Sequence, residues 1–133
     1  KYIGDAIMAI FPHKPDDALI AAVAMMKGLA NFNNELNDKS AHISIGIGIN
    51  SGEVIVGTVG SQQRMDTTVI GNTVNIASRL EGLTKDFHVS IIFSDAVYQQ
   101  LEPATLMSLD IAPLGQVSVK GLDEPMLIYG LKV

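Results

Sequence analysis

Ile43, Ile45, Ile47 and Ile49 alternate with Ser44, Gly46, Gly48 and Asn50. A period of two predicts a strand with one branched aliphatic face and one nearly bare face. A bare face predicts close approach by another backbone. Ser51-Gly52 then turns the chain into a second strand, Glu53–Val59. Upstream, Leu19, Val23, Met26, Ala30 and Phe32 to Leu36 recur at roughly helical spacing, which predicts a helix from Asp16 to about Asp38. Asp16-Asp17 suit its positive N-terminal end. Gly28 inside it costs about 1 kcal/mol relative to Ala. Before it, Lys1–Ile3 and Ala6–Phe11 read as a hairpin around Gly4-Asp5, and Phe11-Pro-His-Lys-Pro15 breaks the chain.

Gly60 to Arg64 reads as a loop and Thr67–Ile70 as a strand end. A helix follows from about Asn72, its expected cap, to Thr84, with Ile76, Leu80 and Leu83 as the buried stripe. Val89–Phe93 is a buried strand, and Ser94-Asp95 starts a short helix to about Leu101. A strand near Gln116–Lys120, a turn at Gly121–Pro125 and a strand Met126–Leu131 close the chain. No internal repeat, low-complexity segment or linker interrupts this order. The pattern is α+β: one domain with a largely antiparallel sheet and helices on one side.

The composition narrows the class. Hydrophobic residues make up 47% of 133 and charged residues 17%, which suits a packed core and excludes disorder. The net charge of −5 comes with no basic stripe, so no nucleic-acid partner is expected. With no cysteine, disulfides and thiolate chemistry are excluded, and a reducing, cytoplasmic setting fits. His13, His42 and His88 lack metal-ligand spacing. The longest apolar run, Ala18–Met26, is too short to span a bilayer, so no membrane contact is expected within this stretch. A start at Lys inside a motif reads as a fragment of a longer protein, which leaves room for a membrane tether elsewhere.

The chemistry concentrates on the second helix. Asn75 and Arg79 are four apart and leave from one face, opposite Ile76 and Leu80. An amide beside a guanidinium is poor core material and a good grip on a ribose and a phosphate. Asp5, in a Gly-Asp turn, reads either as a solvated turn carboxylate or as a metal ligand. Lys120 shares a face with Ser118 while Val117 and Val119 point to the core, an arrangement that also protects an edge strand from aggregation.

Three stretches carry a family resemblance: Thr67-Thr-Val-Ile-Gly-Asn-Thr-Val-Asn-Ile-Ala-Ser-Arg-Leu-Glu81, Lys1-Tyr-Ile-Gly-Asp5 and Val117-Ser-Val-Lys-Gly121. Together they resemble the catalytic domain of class III nucleotidyl cyclases over essentially the whole chain. That resemblance implies a ferredoxin-like βαββαβ core with added strands. It implies conversion of ATP to 3′,5′-cyclic AMP and pyrophosphate with two ions, Mg²⁺ or Mn²⁺, and Asp5 as one metal ligand. By the same resemblance Asn75 orients the ribose and Arg79 stabilises charge on the α-phosphoryl group. Lys1 and Thr68 read the purine, and Lys120 contacts the β- and γ-phosphates. A lysine donor at position 1 suits the N1 acceptor of adenine, whereas guanine calls for a carboxylate.

The chain also departs from the pattern. Glu53 stands where some members carry a phosphate-contacting Arg. Arg64 either takes over that role or fixes its loop by pairing with Asp66. The family's opening strand, with its first metal Asp, and the helices after it are not in this sequence. The resemblance further implies a head-to-tail homodimer with composite sites. Two other readings stand beside it: a guanylate cyclase, and a non-catalytic cyclase-like dimerisation or nucleotide-sensing domain.

Overall fold

A computed structural model describes residues 2–59 and 66–133. Strands β1 (Tyr2–Ile3) and β2 (Ala6–Ile7) pair antiparallel around Gly4-Asp5, as the hairpin reading expects, though β2 ends earlier than Phe11. Helix α1 spans Pro15–Asn34. It stops short of Asp38, and near its end the Asn33 side chain pairs with both backbone groups of Ile43, at 2.8 and 2.9 Å. That pairing changes the strand expected from Ile43. Only β3, Ile47–Ile49, enters the sheet, and Ile43 and Ile45 stay exposed.

Strands β4 (Ile55–Val59) and β5 (Asp66–Ile70) form a separate antiparallel ribbon. Helix α2 follows as Asn72–Phe87, and β6 as Ile91–Ser94. Two short helices come next, α3 (Asp95–Tyr98) and α4 (Pro103–Ser108), where the sequence reading expects one. β7 (Ala112–Val117) and β8 (Met126–Leu131) close the chain. The expected strand Gln116–Lys120 therefore lies earlier, and Lys120 falls in the turn after it.

The main sheet has the order β3-β6-β8-β7, with β3 and β6 parallel and the other two pairs antiparallel. The α+β class is as expected, but helices cover both faces of this sheet rather than one. Ile91 and Phe93 of β6 pack with Ile49, Leu19 and Ala22 of α1, and Val97 of α3. Ile92, between them in sequence, packs with Ile128 and with Ile76 and Leu80 of α2. Alternate side chains of a strand point to opposite faces, so an Ile-Ile-Phe run is what a doubly covered strand requires. No described helix is long and apolar enough to cross a membrane.

The start of α1 is tied to that of α4. Asp16 is buried, and its Oδ2 accepts from the Glu102 backbone N–H at 2.9 Å and from Thr105 Oγ1 at 2.6 Å. Lys14 and Glu102 pair beside it at 2.8 Å, with both side chains about half exposed, so that ion pair adds little. Burial pushes the Asp16 carboxyl up. The bonds from Thr105 and the Glu102 backbone, helped by its own N–H and by Lys14, outweigh burial and hold it below the usual carboxylate range. Replacing Asp16 with Ala leaves the buried Thr105 hydroxyl and the partly buried Glu102 N–H without their acceptor and should cost about 1–3 kcal/mol at neutral pH. A folded value below the unfolded one makes this stability fully present above the unfolded value of about 3.9. It is lost as pH falls through the folded value. Chemical denaturation of wild type and variant at pH 7 and pH 3 checks this: the gap between them should narrow at the lower pH.

Candidate active site

Helix α2 is held close to β3 by the bare face of that strand. A Cβ added to Gly46 would strike the Thr84 side chain, and one added to Gly48 would strike the Ala77 carbonyl oxygen and the Glu81 backbone N. This is the close approach that the alternation of isoleucine and glycine predicts. The helix begins at Gly71, which occupies the cap position with φ 149°, a conformation that L side chains rarely adopt. Asn72, expected as the cap, is instead the first helical residue, and no side chain caps this end.

With Ile76 and Leu80 buried, the opposite face of α2 turns outward, and Asn75 and Arg79 are both exposed on it. The expected division of the helix holds; Leu83 is only half-buried, and Thr84 extends the buried stripe. Lys120 is exposed while Val119 is buried in the same cluster as Ile76 and Leu80. That packing sets the turn after β7 against α2, and Gly121 lies beside Asn72, whose Oδ1 would be 3.6 Å from a Cβ there. Asn75 and Arg79 are thus exposed on one helix, and Lys120 is exposed next to the turn glycine that meets the first residue of that helix. They offer an amide, a guanidinium and an ammonium, the donors that a nucleotide phosphate and ribose require.

Asp5 and Thr68 are carried by other elements. Asp5 is exposed at the tip of the β1–β2 hairpin, which is a sheet of its own. Thr68 is on β5, with its backbone opposite Gly57 of β4. Lys1 and Arg64, and with Arg64 the question of its pairing with Asp66, lie outside the described residues. The Glu53 carbonyl accepts from Thr73 Oγ1 at 2.7 Å, so this position helps to seat α2. Among the described residues no group of three or more carboxylates or imidazoles could hold a metal ion. Asp5 offers one carboxylate, and the described residues of a single chain do not fit a two-ion centre.

Sequence reading missed the supports of α2. Ser94 Oγ, fully buried, donates to Asn50 Oδ1 at 2.7 Å, and Asn50 Nδ2 donates to the Thr73 carbonyl at 3.2 Å. The signal that could have found them is the polar residue within a line of glycines, Gly46, Gly48, Asn50 and Gly52.

A four-stranded mixed sheet with helices on both faces makes this an α+β domain, and its second helix carries Asn75 and Arg79 exposed on one side. The family model for the adenylate and guanylate cyclase catalytic domain matches residues 1–133, and the chain belongs to that family. It is 45% identical to an adenylate cyclase of Anabaena cylindrica, over 99% of this chain and 27% of that protein. It is 36% identical to the terminal-differentiation-specific adenylate cyclase of Dictyostelium discoideum, over 97% of this chain and 6% of that protein. The chain thus spans about a quarter or less of these relatives. Among solved structures, a bacterial light-regulated adenylyl cyclase aligns with a TM-score of 0.80 at 29% identity, over 98% of this chain and 37% of that one. The catalytic core of a rhodopsin-guanylyl cyclase with converted specificity, in complex with ATPαS, aligns with a TM-score of 0.70 at 28% identity, over 100% and 70%.

Proposed function

We propose that residues 1–133 belong to an adenylate cyclase and serve the conversion of ATP to 3′,5′-cyclic AMP and pyrophosphate. The observation that carries this reading is the exposure of Asn75 and Arg79 on one face of a helix whose other face is locked in the core. The identity to named adenylate cyclases supports it.

The ribose 3′-hydroxyl gives up its proton to solvent as its oxygen attacks the α-phosphorus in line. The bond from that phosphorus to the oxygen bridging to the β-phosphate breaks, and pyrophosphate leaves with the electron pair. Asn75 aligns the ribose by hydrogen bonding. Arg79 donates to the α-phosphoryl oxygens, on which charge builds in the transition state. Lys120, with Arg64, steadies the β- and γ-phosphates. Lys1 donates to adenine N1, and Thr68 accepts from the adenine amino group. Class III cyclases use divalent metal ions, which when bound lower the charge on the phosphates and activate the attacking hydroxyl. Asp5 is proposed as one carboxylate toward Mg²⁺ or Mn²⁺, with further ligands from outside the described residues. A head-to-tail homodimer would bring Asp5 of one subunit toward the Asn–Arg helix of the other.

Product formation from ATP and GTP, measured in parallel on the full-length protein with Mn²⁺ in excess, tests the reading. Cyclic AMP should form at least about tenfold faster than cyclic GMP, because a site built on hydrogen bonds to one purine leaves buried groups unpaired with the other. Equal or greater cyclic GMP would make the protein a guanylate cyclase. Nucleotide binding without either product would favour a sensing domain.

A further inference from the structure

The line of residues that β3 and its extension present to α2 reads Gly46, Gly48, Asn50, Gly52. Three of the four have no side chain, and the helix lies directly against them. Gly46 faces Thr84, Gly48 faces Ala77 and Glu81, and Gly52 faces Thr73, whose Oγ1 would be 2.7 Å from a Cβ there. Asn50 is the one member that reaches out to the helix.

Its position follows from the sheet. Ile49 is level with Phe93 in the parallel β3–β6 ladder, so Asn50 comes level with Ser94. Both point away from the face that holds Ile49 and Phe93, and so toward α2. There Ser94 Oγ donates to Asn50 Oδ1, and Asn50 Nδ2 donates to the Thr73 carbonyl. Thr73 Oγ1 in turn donates to the Glu53 carbonyl. Behind Asn50, Gln100 Nε2 donates to Ser51 Oγ at 3.0 Å. The first turn of α2, which has no side-chain cap, is therefore held through the carbonyl and the hydroxyl of Thr73.

We propose that Asn50 is a positioning residue for the cyclase reaction, with buried Ser94 orienting its amide. Thr73 is two residues before Asn75 and six before Arg79. A hydrogen bond to the Thr73 carbonyl sets where the helix starts along the sheet, and with it where the amide of Asn75 and the guanidinium of Arg79 stand. This inference rests on the reading of Asn75 and Arg79 given above. A small axial slip would leave the nucleotide bound and misplace the groups that act on the α-phosphorus, so the loss falls on kcat.

The test is steady-state cyclic AMP production by the full-length protein carrying Asn50→Asp, Ser94→Ala or both, with Arg79→Ala alongside. Each is assayed well below its own melting temperature. Asn50→Asp keeps the shape and replaces the donor by an oxygen that repels the carbonyl. It should lower kcat about tenfold or more while KM for ATP stays within about twofold. Ser94→Ala, which leaves Asn50 unoriented, should lower kcat in the same sense by less. The double variant should be no slower than Asn50→Asp alone, because both act through one bond. If Arg79→Ala lowers kcat by about a hundredfold or more and Asn50→Asp turns over like wild type, or loses only affinity, the inference is overturned and the site reading stands. Wild-type turnover by Arg79→Ala would remove the site reading and this inference with it.

Discussion

Replacing Arg79 with Ala is expected to lower kcat of the full-length protein by about 10²–10³-fold, the usual effect of removing one preorganised donor from a developing oxyanion. KM for ATP should change by less than about threefold. The asymmetry follows from where the charge is. A guanidinium aimed at the α-phosphoryl oxygens gains most when the phosphorus is between its two oxygens, and less in the ground state. The fold should be untouched, because Arg79 is exposed on the outer face of α2 and Ala is the stronger helix former. Arg79→Lys should recover only part of the rate, since an ammonium lacks the planar fork that holds two phosphoryl oxygens at once. Steady-state kinetics with a melting curve for each variant separates the outcomes. A rise in KM at constant kcat would mean that Arg79 only binds nucleotide, and the proposed role would be wrong.

Gly48→Ala is expected to be strongly destabilising. Its new carbon would run into the Ala77 carbonyl oxygen and the Glu81 backbone N, with the Glu81 Cα at 3.0 Å. These are helix backbone atoms, so no rotamer change relieves the clash. The helix must lift off the sheet, opening the packing of Ile76 and Leu80 on Ile92. Overpacking a tight site typically costs about 1–3 kcal/mol, and a backbone-on-backbone clash belongs at or above the top of that range. A loss of about 3 kcal/mol lowers the melting temperature by roughly 10 °C in a domain of this size.

Gly28→Ala provides the contrast. Gly28 is in helix α1 with open space where a Cβ would go. The same methyl there should raise stability by about 0.4–1 kcal/mol, by removing freedom from the unfolded chain. Thermal melts of the two variants side by side check both signs. Equal effects would show that α2 is not held close to β3 by the bare face of the strand.

Features that repeat at short range could be read from local spacing. Ile76 and Leu80 against Asn75 and Arg79 divided α2 into a core face and a free face, because a helix brings residues three and four apart together wherever it is placed. The alternation of isoleucine and glycine announced a strand pressed by another backbone, and Gly46 and Gly48 meet α2. Tertiary structure alone decided what depends on register and on partners far along the chain. Asn33 took up the backbone of Ile43, so half of the expected strand never joined the sheet and Ile43 stayed exposed. Asp16 found Thr105 across 89 positions, and Ser94 found Asn50 across 44. No local period encodes such pairs: they exist because β3 lies parallel to β6 in one register and because helices cover both faces of that sheet. The same holds for the turn that carries Lys120. The lysine was readable in the sequence, but the meeting of its neighbour Gly121 with Asn72 depends on Val119 sinking into the core with Ile76 and Leu80.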